Sequence, residues 1–157
     1  MNLNRKYFTD EQWAREMAEA VRLLRFAIHL ATVQMTQGRY FTFEHPQRAT
    51  SWNDEHVRKL ASHPSVTKIT FDQCRFGLTA PGTMAPMQKT THFLTNCKEV
   101  VDEFADVRCT CQVKHRTVEG RGISRHAAIY PQGLCKSMAN AVQKVVQRHG
   151  GWGRRLS

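Results

Sequence analysis

Trp13, Met17, Val21, Leu24, Ile28, Ala31 and Met35 recur at steps of three and four residues, which places them on one face of a helix running from about residue 9 to 37. Thr9-Asp10-Glu11-Gln12 has the form of a capping box with acidic residues in the first turn, and Gly38 is a natural stop. Residues 39–44 are aromatic or β-branched at most positions and predict a short strand, which His45-Pro46 would end. A loop to Ser51 leads to a short helix capped by Asn53 or Asp54, with Val57, Leu60 and Ala61 inward, and His63-Pro64 closes it. Residues 66–71 predict the next strand, 78–88 a loop, 90–95 a third strand and 98–105 a short helix. Apolar residues alternate over 107–113, which predicts a fourth strand, followed by a basic, glycine-containing loop to Gly122. Pro131 suits the first turn of a last helix ending near His149.

Strands alternating with helices predict an α/β fold with a largely parallel sheet, flanking helices and a long N-terminal helix. Residues 1–149 read as a single domain and 150–157 as a flexible basic tail. Ligands in such folds sit at the carboxyl ends of strands, and Glu44, Asp72, Gln73 and Cys74 occupy such ends. Every apolar stretch is broken too soon to span a bilayer, and residues 1–13 lack the apolar core of a secretory signal. Together with an odd count of five scattered cysteines, this points to a reducing compartment, cytoplasmic or nuclear.

The net charge of +10 changes the picture because of where it lies. After Asp106 the only acidic residue is Glu119, against Arg108, Lys114, Arg116, Arg121, Arg125, Lys136, Lys144, Arg148, Arg154 and Arg155. That asymmetry is the electrostatic footprint of a polyanion binder, nucleic acid and in particular DNA; its plain alternative is a solvated basic surface.

Candidate chemistry is sparse. Glu44 leaves its strand at the carboxyl edge, where it could bond a ring nitrogen of a base; a carboxyl group in a dry pocket binds its proton more tightly and can donate it. It could equally pair with an arginine or cap a turn. Cys74, beside Arg75, is either a thiolate nucleophile or a small packed thiol. Cys97, Cys109, Cys111 and His115 could form a zinc site, although Cys-x-Cys is tighter than the common Cys-x-x-Cys knuckle; free thiols are the alternative. Glycine-rich nucleotide loops, a Walker loop, a nucleophile elbow, His-Glu-x-x-His and the zinc-deaminase pattern are all missing from the sequence. A magnesium nuclease would need clustered carboxylates, and Glu44 and Asp72 are the only strand-end acids.

The order of elements and motifs resembles the DNA cytosine methyltransferases over residues from about 20 to 145, in the half of that fold downstream of the catalytic cysteine. Glu44-His45-Pro46 is similar to the family's Glu-Asn-Val or Glu-Asn-Pro motif, with His45 replacing the usual asparagine. Asp72-Gln73-Cys74-Arg75-Phe76-Gly77, followed by Lys89-Thr90 and Thr95-Asn96, resembles a variant pattern of some phage-type members. Asn140-Ala141-Val142 resembles the family's Gly-Asn-Ala-Val stretch. The resemblance implies a partial Rossmann-like methyltransferase sheet in which Glu44 contacts the N3 edge of a flipped cytosine and Lys89 and Thr90 lie near the base or its phosphates.

The family's glycine-rich S-adenosylmethionine loop and Pro-Pro-Cys nucleophile loop belong upstream of the glutamate. Upstream of Glu44 this chain has one glycine, Gly38, and neither proline nor cysteine. The resemblance therefore implies a half-domain that binds no cofactor alone and needs a completing chain, or self-association, for S-adenosylmethionine binding or methyl transfer. Arg75, Lys114, Arg116, Arg121, Arg125 and Arg148 are its candidate phosphate contacts. The alternative is a non-enzymatic nucleic-acid-binding module on a remnant fold, of a kind a mobile element could carry.

Overall fold

Helix α1 (Asp10–Thr36) forms where the periodicity predicts it, and both capping-box bonds are made. Thr9 Oγ1 accepts from the Gln12 amide at 3.2 Å, and Gln12 Oε1 accepts from the Thr9 amide at 3.0 Å. The computed structural model that shows this describes residues 5–150; of the tail expected over 150–157, all but Gly150 lies outside the described residues. The predicted stripe turns inward, with Ile28 and Ala31 buried and Leu24 and Met35 packed beside them. Leu23, Phe26 and Leu30 form a second apolar stripe on α1, and it is exposed.

The remaining elements follow as β1 (Thr42–Pro46), α2 (Glu55–Ala61), β2 (Thr67–Asp72), β3 (Met87–Gln88), β4 (Thr90–Thr95), α3 (Lys98–Phe104), β5 (Arg116–Thr117), α4 (Arg121–Ala127) and α5 (Gln132–Arg148). The main sheet has the order β1-β4-β2, and β4 is antiparallel to both neighbours. This corrects the expected largely parallel sheet. Strands β1 and β2, joined across α2, do run the same way, but β4 inserts between them and takes both ladders. Pro46 pairs with Thr91 rather than ending the strand earlier, which is possible because β1 is an edge strand, where a missing N–H is tolerated.

The two-residue period of β4 divides the core. Phe93 faces a cluster with Ile69, Phe71, Val100, Phe104 and Leu134, roofed by α3 and α5. Leu94 faces the opposite cluster, with Ile28, Ala31, Phe41, Val57 and Leu60 under α1 and α2. The result is a small mixed sheet between two helical layers. Phe71, Phe93 and Phe104 interlock with ring centroids 4.6, 5.0 and 5.1 Å apart, each at most 2% exposed. Burying each ring contributes about 2–3 kcal/mol. Among the described residues no helix is long and apolar enough to cross a membrane.

A satellite lobe sits at the carboxyl ends of β1 and β2. Leu78, Ala80, Met87 and Ala127 form its core, and β3 pairs in parallel with β5. The predicted strand over 107–113 is absent. Asp106 turns the backbone with φ 64°, and the Cys109 amide donates to the Asp72 side chain rather than to a strand. Two of the four apolar residues in that alternation were cysteines, and both are exposed; Val107 packs against the core. Helix α5 begins against this region. A side chain at Gly133 would place its Cβ 2.6 Å from the Phe76 carbonyl oxygen.

Candidate functional site

The carboxyl ends of β1 and β2 and the start of β4 share one end of the sheet, and most sequence-predicted site residues gather there. Glu44 lies opposite Phe93, so its side chain emerges on the α5 face. Its Oε1 is buried without a hydrogen-bond partner. Lys89, just before β4, feels its charge: burial pushes the Lys89 pKa down, while the Glu44 charge acts the other way. The Lys89 Nζ donates to the Ala127 carbonyl at the end of α4 at 2.8 Å and stands 5.7 Å from the Tyr130 ring centre. Tyr130 is 43% exposed, yet its hydroxyl faces Glu44; burial and then that carboxylate raise its pKa to about 12.

Gln73 closes the same face. Its Nε2 donates to Thr91 Oγ1 at 2.9 Å, which fixes the amide and leaves its Oε1 buried and unpartnered. Among the described residues Glu44 Oε1 and Gln73 Oε1 are the buried side-chain polar atoms without a partner. Both are acceptors, so each could be satisfied by an N–H or O–H donor.

On the other face, His45 is packed rather than free. It stacks on Phe43, meets Trp52 edge-on and bonds Ser51 Oγ; burial lowers its pKa from 6.5 to about 4. His45 is therefore a partly buried side chain that stays neutral at pH 7. Trp52 in turn donates to the Pro46 carbonyl at 2.8 Å, which holds the end of β1.

Thr90 turns to Asp72 Oδ1 at 2.6 Å instead of toward Glu44. Asp72 Oδ2 also accepts from the Cys109 amide at 2.8 Å and pairs with Arg108 at 3.2 Å. Asp72 is thus committed to structure. Arg75 donates to Thr110 Oγ1, and Lys114, Arg116 and Arg125 are exposed without an ion-pair partner among the described residues. Arg121 opens α4. Arg148 is elsewhere: it pairs with Glu99 at 2.9 Å and donates to Tyr40 at the opposite end of the sheet. Its charge is already matched.

The cysteines group differently from the set the sequence suggested. Cys97 is buried in the α3/α5 core and does not join the others. Cys74 takes its place: Cys74 Sγ, Cys109 Sγ, Cys111 Sγ and a His115 ring nitrogen all lie within 4.8 Å of one another. Burial first, and then the neighbouring Cys109 and Cys111, push the Cys74 thiol up to about 12, so it is no thiolate nucleophile by itself. Cys74 lies far from Cys109 in sequence, and no local spacing announces the pairing. Tyr130 carries no motif either; its one signal is its place before the proline that starts α5.

Comparison of the chain with protein-family models, curated proteins and solved structures finds no match in any of the three.

Proposed function

We propose that this chain is a DNA-binding, methyltransferase-like half-domain that holds an extrahelical base but performs no methyl transfer alone. The observation that carries the reading is the buried, unpartnered Glu44 Oε1 beside Lys89 at a strand end. A cytosine edge offers an amino N–H, and a ring N–H when N3 is protonated. Those donors suit the Glu44 and Gln73 oxygens. Exposed Lys114, Arg116 and Arg125 would hold flanking phosphates.

The topology is consistent with a portion of a doubly wound, Rossmann-like sheet. Strands β1 and β2 run the same way across a helical crossover, and mixed sheets with an antiparallel strand, here the central β4, occur among such folds. Among the described residues nothing pairs with the outer side of β1, so further strands could add there. S-adenosylmethionine does not fit the residues present: the sequence has no Gly-x-Gly-x-x-Gly loop to cradle it, and no step through it is assigned to this chain. A completing chain would have to bring it.

The test is equilibrium binding to duplexes that differ only in one unpaired cytosine, across a salt series. The half-domain reading expects tighter binding to the unpaired base and loss of that preference in Glu44→Gln. Charge-neutral variants at Lys114, Arg116 and Arg125 should each flatten the salt slope by about 0.9 for every phosphate no longer neutralised. Equal binding to both duplexes, with the salt slope intact, would favour instead a module that reads phosphates alone, for which the unpaired cations of the satellite lobe are the supporting observation.

A further inference from the structure

We infer that Cys74, Cys109, Cys111 and His115 form a structural zinc site that staples the satellite lobe to the end of β2. The inference is independent of what the Glu44 pocket binds.

The four donors come from two segments far apart in sequence: Cys74 in the turn after β2, and Cys109, Cys111 and His115 in the loop that joins α3 to β5. Their ligand atoms lie within 4.8 Å of one another, and Cys109 Sγ is 3.3 Å from His115 Nε2. Tetrahedral zinc with Zn–S near 2.3 Å and Zn–N near 2.0 Å holds three sulfurs and one nitrogen roughly 3.5–3.8 Å apart. The cluster therefore needs shifts of only about 1 Å or less between donors to close around the ion. Three sulfurs and one imidazole select zinc over magnesium, calcium or manganese, which prefer oxygen donors. With four protein ligands the coordination sphere is closed, which marks the site as structural.

The surroundings agree. Three thiolates on a divalent ion leave one net negative charge, and Arg75, Arg108, Lys114 and Arg116 are close to the ligands in sequence. The Cys111 amide donates to Cys109 Sγ at 3.4 Å, a contact that favours a thiolate. Asp72 holds the Cys109 amide and pairs with Arg108, while Arg75 binds Thr110 between the two cysteines, so the loop is shaped from outside the ligand shell. Residues 107–115 contain no regular element and pack little apolar surface beyond Val107, so cross-linking there supplies cohesion that the core does not. Binding replaces three thiol protons with the metal, His115 coordinates as neutral imidazole through Nε2, and no electron is transferred.

The test uses the full chain purified under reducing conditions, with metal content read by mass spectrometry and cobalt substitution read by absorption. The expected result is one zinc per chain and, with cobalt, an intense thiolate charge-transfer band with the visible bands of a tetrahedral ion. Cys111→Ser alters an exposed side chain and should drop zinc to near none while circular dichroism still reports the helices. Cys135→Ser, on the exposed side of α5, should keep it. A folded wild-type chain that takes up neither metal would overturn the site, as would Cys111→Ser retaining zinc at the wild-type level. A disulfide within the cluster that forms in preference to zinc binding when both are possible would overturn it in favour of a redox pair.

Discussion

The two ends of the central sheet are built to different standards. Where β1 begins and β4 ends, the side chains are tied together by hydrogen bonds: Asn96 accepts from the Phe41 amide and donates to the Arg39 carbonyl, both at 2.9 Å. Thr95 donates to the Phe41 carbonyl at 2.6 Å and meets Thr42. Arg148 bridges Glu99 and Tyr40. At the other end Glu44 and Gln73 each leave a buried oxygen without a donor. A buried acceptor left unpaired costs about 1–3 kcal/mol, and a fold able to satisfy one end so thoroughly could have satisfied the other. The difference marks the closed end as scaffold; under the proposed reading, the open end is where a ligand completes the bonding.

That contrast can be broken most forcefully at Gly133, where α5 is clamped to the turn after β2. Gly133→Ala drives a Cβ against the backbone of Phe76, which cannot swing aside, and should destabilise by about 3 kcal/mol in urea unfolding. A neutral result would mean that the open end yields easily. Asn96→Ala at the closed end should cost about 1–2 kcal/mol by the same measurement, since it orphans the Phe41 amide. A cost near zero would erase the distinction between the ends.

Acid gives a graded test. His45 titrates at about 4 when folded and near 6.5 when exposed, so the unfolded chain binds the proton more readily. The stability held by neutral His45 is complete above pH 6.5 and falls away as pH drops toward 4. Burial lowers the His92 pKa as well, so it adds in the same direction. Thermal midpoints should fall across this window, and His45→Asn should flatten the fall; an unchanged profile would show that His45 protonates without strain. The smallest effect is expected at Glu44 itself. Glu44→Gln should shift stability by no more than about 0.5 kcal/mol, or raise it, because the scaffold does not use the unpartnered oxygen. A loss above about 1 kcal/mol would make Glu44 a structural residue and sink its assignment to a ligand.

Local patterns were the legible part of the sequence. The capping box, the α1 stripe, β2, β4 and α5 each follow from residues within one or two turns of each other. Glu44 and Lys89 were both singled out, and the fold does bring them together. What could not be read depends on pairing across the chain. The insertion of β4 between β1 and β2 joins residues some 20 to 50 positions apart, and nothing in either strand encodes which neighbour it takes. The cysteines misled for the same reason. Within 107–113 they imitate the alternation of a strand, whereas their geometry is set by Cys74, which reaches them only after the fold has closed.

The placement of β4 also sets an order of events in synthesis. Among the described residues both edge strands pair only with β4, and β4 is the last of the three to leave the ribosome. Until residue 95 has emerged, β1 and β2 have no partner in this sheet, and α1 and α2 have only part of a surface to cover. Formation of this sheet is therefore deferred until β4 has emerged, with two β-prone segments and an amphipathic helix waiting meanwhile. A nascent chain stalled before Thr90 would hold no sheet at all and would be a natural client for chaperones.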